Sequence, residues 1–326
     1  MLLVANLFWG LSFPTMKALG AFQQAGMPEH SSWFFTALCL TYRFGLSAAI
    51  MLILCRRTIR DLTRSEFSEG LGLGLFAAAG LMFQMDGLAH TSASTSAFLT
   101  QCYCVIIPAW VALRQRELPS IITFCSCVLV LAGVAVLSGI SLDNLRLGRG
   151  ELETILGSII FTGQILWLQR PCFAKNNVFH FSFVMFLVIA LACAPIALMT
   201  STRGSDLVKP YASFASALML GILIVFCTFG SYLLMNRWQQ FLSSVQAGLI
   251  YCVEPMFASL FALFLPGWFS VLANIHYPNE SVTASMLLGG GLITVANVLI
   301  QLEPVREPQR ATSPTRAPNV SASQDA

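Results

Sequence analysis

The chain has 326 residues, 56% of them apolar and only 10% charged, with a mean hydropathy of +0.73. Soluble globular chains carry about 25% charge, so this composition excludes a fold whose whole surface meets water. A net charge of +3, dispersed over 18 basic and 15 acidic residues, leaves no electrostatic footprint for a nucleic-acid partner.

Apolar runs of about 20 residues cross a bilayer as helices. Ten occur, in order Leu2 to Phe22, Trp33 to Cys55, Gly70 to Ala89, Ala93 to Leu113, Ile121 to Ile140, Leu152 to Gln169, Val178 to Thr200, Phe214 to Met235, Val245 to Leu265 and Val282 to Leu302. They lack the alternation of a barrel strand and are twice its length. The expected class is therefore an all-α polytopic membrane protein with ten transmembrane helices. Residues 303–326 hold four prolines, three arginines and many small polar residues, a composition that buries no core and is expected to form a disordered tail.

Ten spans put both termini on one side. Twelve basic residues fall in the loops of that side, Arg56, Arg57, Arg60, Arg64, Arg114, Arg116, Arg170, Lys175, Arg237, Arg306, Arg310 and Arg316, against four opposite: Arg146, Arg149, Arg203 and Lys209. The positive-inside rule makes the termini cytoplasmic. The first run has no basic residue before it and is interrupted by Trp9, Pro14 and Lys17, so it reads as a span and not a cleaved signal. Nine of the ten cysteines lie in or at the ends of apolar runs and read as small hydrophobes. The pairs Cys102 with Cys104 and Cys125 with Cys127, spaced by two on a helix, face different ways. No disulfide framework, zinc site or other cofactor is expected.

Divided near Leu147, the chain gives five spans per half, with echoes about 150 residues apart. Phe8-Trp9-Gly10 matches Phe161-Thr162-Gly163, and Ser96-Ala97-Phe98-Leu99 leading to Pro108 matches Gln246-Ala247-Gly248-Leu249 leading to Pro255. Five is odd, so the second copy crosses the bilayer in the opposite sense, as in the inverted repeats of secondary transporters. The expected units are residues 1–147, 148–302 and the tail.

Phe8-Trp9-Gly10-Leu11-Ser12-Phe13, Tyr42-Arg43-Phe44, the stretch from Gly87 to Thr100, Gly150-Glu151-Leu152, Gln246 to Ile250 and Glu254-Pro255-Met256-Phe257 follow one another in that order. On these stretches the sequence resembles a known family, the drug/metabolite transporter superfamily and in particular its bacterial EamA-type members. It departs at the Gly-Glu pair that usually follows the fourth helix of each repeat. The first copy reads Gln115-Arg116-Glu117-Leu118, and the second, Pro266-Gly267-Trp268-Phe269, has no acid and runs into a longer loop. The resemblance implies two five-helix repeats in the bacterial cytoplasmic membrane and a small organic metabolite, amino acid-like or amphipathic, exported more often than imported.

Arg43 and Glu254 lie about ten residues into spans two and nine. A lone charge at mid-bilayer costs roughly 2.5–3.5 kcal/mol on insertion scales, and such groups are functional by default. A direct pair between them is one expected arrangement. Gln84, Gln101, Tyr103, Gln164 and Tyr251 add hydrogen-bonding groups deep in their spans, with Trp9 beside them in the family alignment. Together they suit a cavity with a few polar contacts in an apolar wall, although hydrogen bonds between helices explain any one of them equally well. Pro108 and Pro255 free the carbonyls of Cys104 and Tyr251 and are expected to mark kinks or gates at matching places. Gly70, Gly72, Gly74 and Gly289 to Gly291 suit close helix approach. His180 is expected to be a satisfied interface residue and Asp86 a solvated one.

The expected function is a secondary transporter working by alternating access. There is no Walker sequence and no nucleophile and base constellation. An intramembrane enzyme and a sensor or assembly subunit are the alternatives. Expected partners are a small-molecule solute, a coupling proton carried by Glu254, the lipid bilayer and a second copy of the chain as a homodimer.

Overall fold

A computed structural model describes residues 1–116, 118–137 and 148–301. The tail from 303, Glu117 of the family motif and the repeat boundary at 147 lie outside the described residues.

Every regular element among the described residues is helical. The first half contains α1 (Leu2–Gly26), α2 (Ser32–Cys55), α3 (Arg64–Ala89), the broken pair α4 (Ala93–Thr100) and α5 (Tyr103–Gln115), and α6 (Ile121–Leu137). The second contains α7 (Arg149–Leu168), α8 (Val178–Thr200), α9 (Phe214–Ile224), which continues through a wide turn into α10 (Ser231–Trp238), the broken pair α11 (Ser244–Tyr251) and α12 (Glu254–Ala262), a short α13 (Leu265–Ala273) and α14 (Ala284–Gln301). Eight of the resulting spans are long and apolar enough to cross a membrane, and two shorter apolar helices, α6 and α14, complete the ten.

Local chemistry sets the boundaries. Thr63 and Glu66 form a reciprocal capping box that starts α3 six residues before the apolar run, because both orphan amide donors of the first turn find side-chain acceptors. Ser31, Ser92, Asn177 and Ser243 cap α2, α4, α8 and α11 in the same manner, Ser243 within a second box completed by Gln246. The segment read as loop after span nine is α13. Pro266 sits in its first turn, where a missing N–H is no loss, and the fully buried Phe269 holds it against α1 and α9.

The two halves interlock by exchange of equivalent elements. α3 lies along α7 as α1 lies along α9 and α10; α1 meets α12 as α7 meets α4; α2 pairs with α8, and α6 with α14. The α3 to α7 seam depends on bare glycines. A Cβ on Gly80 would sit 2.6 Å from the Phe161 ring, and one on Gly72 would sit 2.2 Å from Trp167. Gly70 and Gly74 press on α8 in the same way, whereas Gly290 and Gly291 have nothing within 4 Å. At that triplet the Gly289 carbonyl would lie 2.8 Å from a Cβ on Gly133.

A candidate solute cavity between two seals

Arg43 is 1% exposed and fills the middle of α2. Its Nε donates to Thr228 Oγ1, its Nη2 to the Cys227 carbonyl at 2.7 Å, and its Nη1 lies 3.5 Å from Met16 Sδ. Those partners exist because residues Val225–Gly230 form a π turn, wound one residue wider than an α turn, which loosens the carbonyl ladder. The Thr228 hydroxyl spans the wide turn to the Leu223 carbonyl at 2.9 Å. Hydrogen bonds to a charged group contribute about 1.5–3 kcal/mol each, so two of them offset the cost of holding a guanidinium at this depth.

The direct Arg43 to Glu254 pair expected from depth alone is not formed. Once the π turn has satisfied the guanidinium, no acid is required to hold it. Glu254 starts α12, and its Oε2 accepts from Gln101 Nε2 at 3.3 Å. Gln101 occupies the corresponding break in the other repeat, so the breaks of the two halves touch through this amide and carboxylate.

Arg43 and Glu254 nevertheless line one cavity of about 60 Å³, with Trp9, Gln84, Tyr103, Gln164 and Tyr251 from the sequence-based set around it. Gln101 supports the wall from behind through Glu254. Trp9 stands edge-on to Tyr251 at 5.4 Å and to Tyr232 at 5.6 Å. Gln84 Nε2 donates to Thr100 Oγ1 at 2.9 Å. The Gln164 amide nitrogen is buried without a partner on the same wall, a donor left over for a solute. Sequence reasoning missed Ser12, Met16, Thr100, Phe161 and Tyr232. Phe161 was visible as part of the repeat echo, and Tyr232 is a polar aromatic inside an apolar run; Met16 carried no signal.

The prolines do not sit where the helices break. The breaks fall at Gln101–Cys102 and Cys252–Val253, and these match between halves. Pro255 lies just after the second break, in the first turn of α12, where it removes no helical bond. Pro108 lies well inside α5, and the Cys104 carbonyl it frees accepts from Cys127 Sγ at 3.5 Å. The Ile250 carbonyl beside the second break accepts from Asn6 Nδ2 at 3.2 Å.

Hydrogen bonds close both ends of the cavity. On the face of the N-terminus, Gln239 receives the Tyr251 hydroxyl at 2.8 Å and donates to the Ile165 carbonyl at 3.1 Å, while Gln169 donates to the Leu242 carbonyl at 2.8 Å. On the opposite face, Lys17 donates to the Thr91 carbonyl, and Thr91 to Glu151 at 2.6 Å. In each case a residue from the C-terminal part of a repeat's first helix, Lys17 in α1 and Gln169 just after α7, reaches the loop that precedes the broken helix of the same repeat, so the two closures are counterparts. Beyond the Lys17 closure a cleft of about 510 Å³ opens, sharing Met16 with the central cavity. Asp86, expected to be solvated, is fully buried and paired with Arg149 at 2.5 Å. His180 is satisfied as expected, by Glu66 and Thr58 at 3.1 Å each.

The model of the EamA-like transporter family matches residues 1–139 and 149–276. The chain belongs to that family, and it is a multi-pass membrane transporter. It is 25% identical over 301 residues to an uncharacterized transporter of Archaeoglobus fulgidus, an alignment covering 92% of this chain and 84% of the relative. A crystal structure described only as that of a protein superposes with a TM-score of 0.60 at 15% identity, over 91% of this chain and 96% of its own. That likeness concerns the fold alone.

Proposed function

We propose that the protein moves a small organic solute bearing a carboxylate or other acidic group and a hydrogen-bonding or cationic group, exporting it by alternating access across the cytoplasmic membrane. The observation that carries this reading is the cavity in which Arg43 and Glu254 face a common space without bonding each other. Each retains capacity for a ligand, within walls of Trp9, Tyr103, Tyr232 and Tyr251. An opposed charge pair with an aromatic wall fits an amino acid-like or amphipathic solute: acid toward Arg43, cation or donor toward Glu254, apolar part on the rings.

Counterpart closures on the two faces, the inner one built within residues 148–302 and the outer one from residues 1–147 with Glu151 of the second unit, supply the inner and outer gates that alternating access needs. The excess of basic residues on the face of the termini supports a cytoplasmic assignment for that face. Glu254 is the group in the cavity able to carry a coupling proton.

The test is reconstitution into liposomes with a panel of labelled amino acids and amphipathic metabolites under an imposed proton gradient. Accumulation of an unaltered solute against its gradient supports the reading. Chemical conversion of the solute, or no gradient-driven movement of any panel member, overturns it.

A further inference from the structure

A second cleft, of about 500 Å³, opens on the face of the N-terminus, outside the inner seal and separate from the solute cavity. It lies where α5 ends, α7 ends and α11 begins, and its described lining contains two arginines, Arg114 and Arg170, and no carboxylate. Arg114 is in the last turn of α5, one turn beyond the half-exposed Trp110, which also lines the cleft. The Arg170 guanidinium carbon lies over the Trp167 ring, 4.1 Å from its centroid, a cation–π contact that holds the side chain and uses none of its N–H donors. Neither arginine forms an ion pair with a described acid. Glu69, in the adjoining cleft that Arg170 also borders, is bonded to Asn176 at 2.7 Å. Ser244 adds a hydroxyl and Gln169 an amide.

We infer that this cleft binds a phosphate-bearing anion. Two guanidinium forks without carboxylates match the oxygens of a phosphate, which accepts paired N–H donors. Tryptophan and arginine together at the ends of spans place the cleft at headgroup depth, where basic pockets between helices take anionic lipid headgroups. A membrane phospholipid and a soluble phosphate ester present the same group, and the cleft is open to both. A phosphate held here touches α5 of the first repeat and α7 and α11 of the second, next to the Gln169 bond to Leu242, so it braces the inner seal shut. The site itself does not depend on the transport reading; only its effect on the seal does.

The experiment uses the full chain in nanodiscs of phosphatidylcholine, with and without phosphatidylglycerol, and separately with glycerol 3-phosphate added to the phosphatidylcholine discs. Bound ligand is counted by native mass spectrometry. The wild type and an Arg60→Gln control, an exposed arginine on the same face, are expected to retain the anionic ligand. The double variant Arg114→Gln, Arg170→Gln is expected to bind it at least about tenfold more weakly, the loss of one charge-assisted contact. Retention in the lipid arm assigns a headgroup, and retention in the soluble arm assigns a phosphate ester. Equal retention by the double variant, or no retention in either arm, overturns the inference, and neither result bears on solute transport.

Discussion

At the scale of single residues, the informative fact is that Arg43 owes its place to Cys227 and Thr228 and not to an acid. A lysine cannot reach both acceptors with a planar fork, so Arg43→Lys and Arg43→Gln are both expected to lower the initial transport rate at least about tenfold, from the loss of a charge-assisted bond. Uptake in liposomes checks it; a rate within twofold of wild type for Arg43→Lys rejects the fork as the reason for arginine here. Glu254→Gln keeps the size of the side chain and a carbonyl for Gln101. It is expected to permit solute exchange between equal pools while abolishing the response to an imposed proton gradient, and a retained response would remove Glu254 from coupling. Depth in a span was enough to find Arg43, Glu254 and the glutamines. Their partners were not legible, because a π turn is set by one extra residue in an apolar run, and Val225 to Gly230 carries no charge or proline to mark it.

Among elements, the crossing of α1 and α12 is a tight place next to the cavity. A Cβ on Gly10 would stand 2.6 Å from Phe257 Cβ and 2.8 Å from the Ala258 nitrogen, neither of which is the loose end of a side chain. Gly10→Val is therefore expected to destabilise the fold by about 1–3 kcal/mol. Gly26→Ala, at the end of the same helix with nothing within 4 Å, is expected to be neutral or mildly stabilising. Thermal melting in detergent distinguishes the two, and equal melting temperatures would show that the helices part easily. Element positions were legible from hydropathy alone, while element interruptions were not. The helices break at Gln101 and Cys252 through paired turns whose backbone hydrogen bonds span three residues instead of four, and the conspicuous prolines lie beside or beyond those breaks. The short α13 was hidden because Pro266-Gly267 reads as a turn until the burial of Phe269 is known.

For the whole molecule, the loops on the face away from the N-terminus join the halves through Asp206. Its carboxyl is held below the ordinary 3.8, first by the Thr202 hydroxyl, then by the Arg203 backbone N–H and by His30, whose Nε2 lies 3.3 Å away. A carboxyl with a lowered folded pKa contributes stability that is fully present above its unfolded value and is lost as pH falls through the folded one. The wild-type melting temperature is therefore expected to drop between pH 6 and pH 3 more steeply than that of Asp206→Asn; parallel curves would assign the acid sensitivity elsewhere. The number and parity of the spans and the repeat echo carried the overall architecture from sequence alone. The route by which the halves touch did not follow from those patterns, because it depends on hydrogen bonds between residues from 60 to 244 positions apart.

A central void of about 60 Å³ is several times smaller than the roughly 300–1,000 Å³ of an ordinary small-molecule site. No metabolite fits without the surrounding rods moving apart. On the proposed alternating-access cycle each solute molecule requires one such rearrangement, so flux is expected to rise steeply with warming, and electrical recordings of the reconstituted protein are expected to contain no unitary current steps.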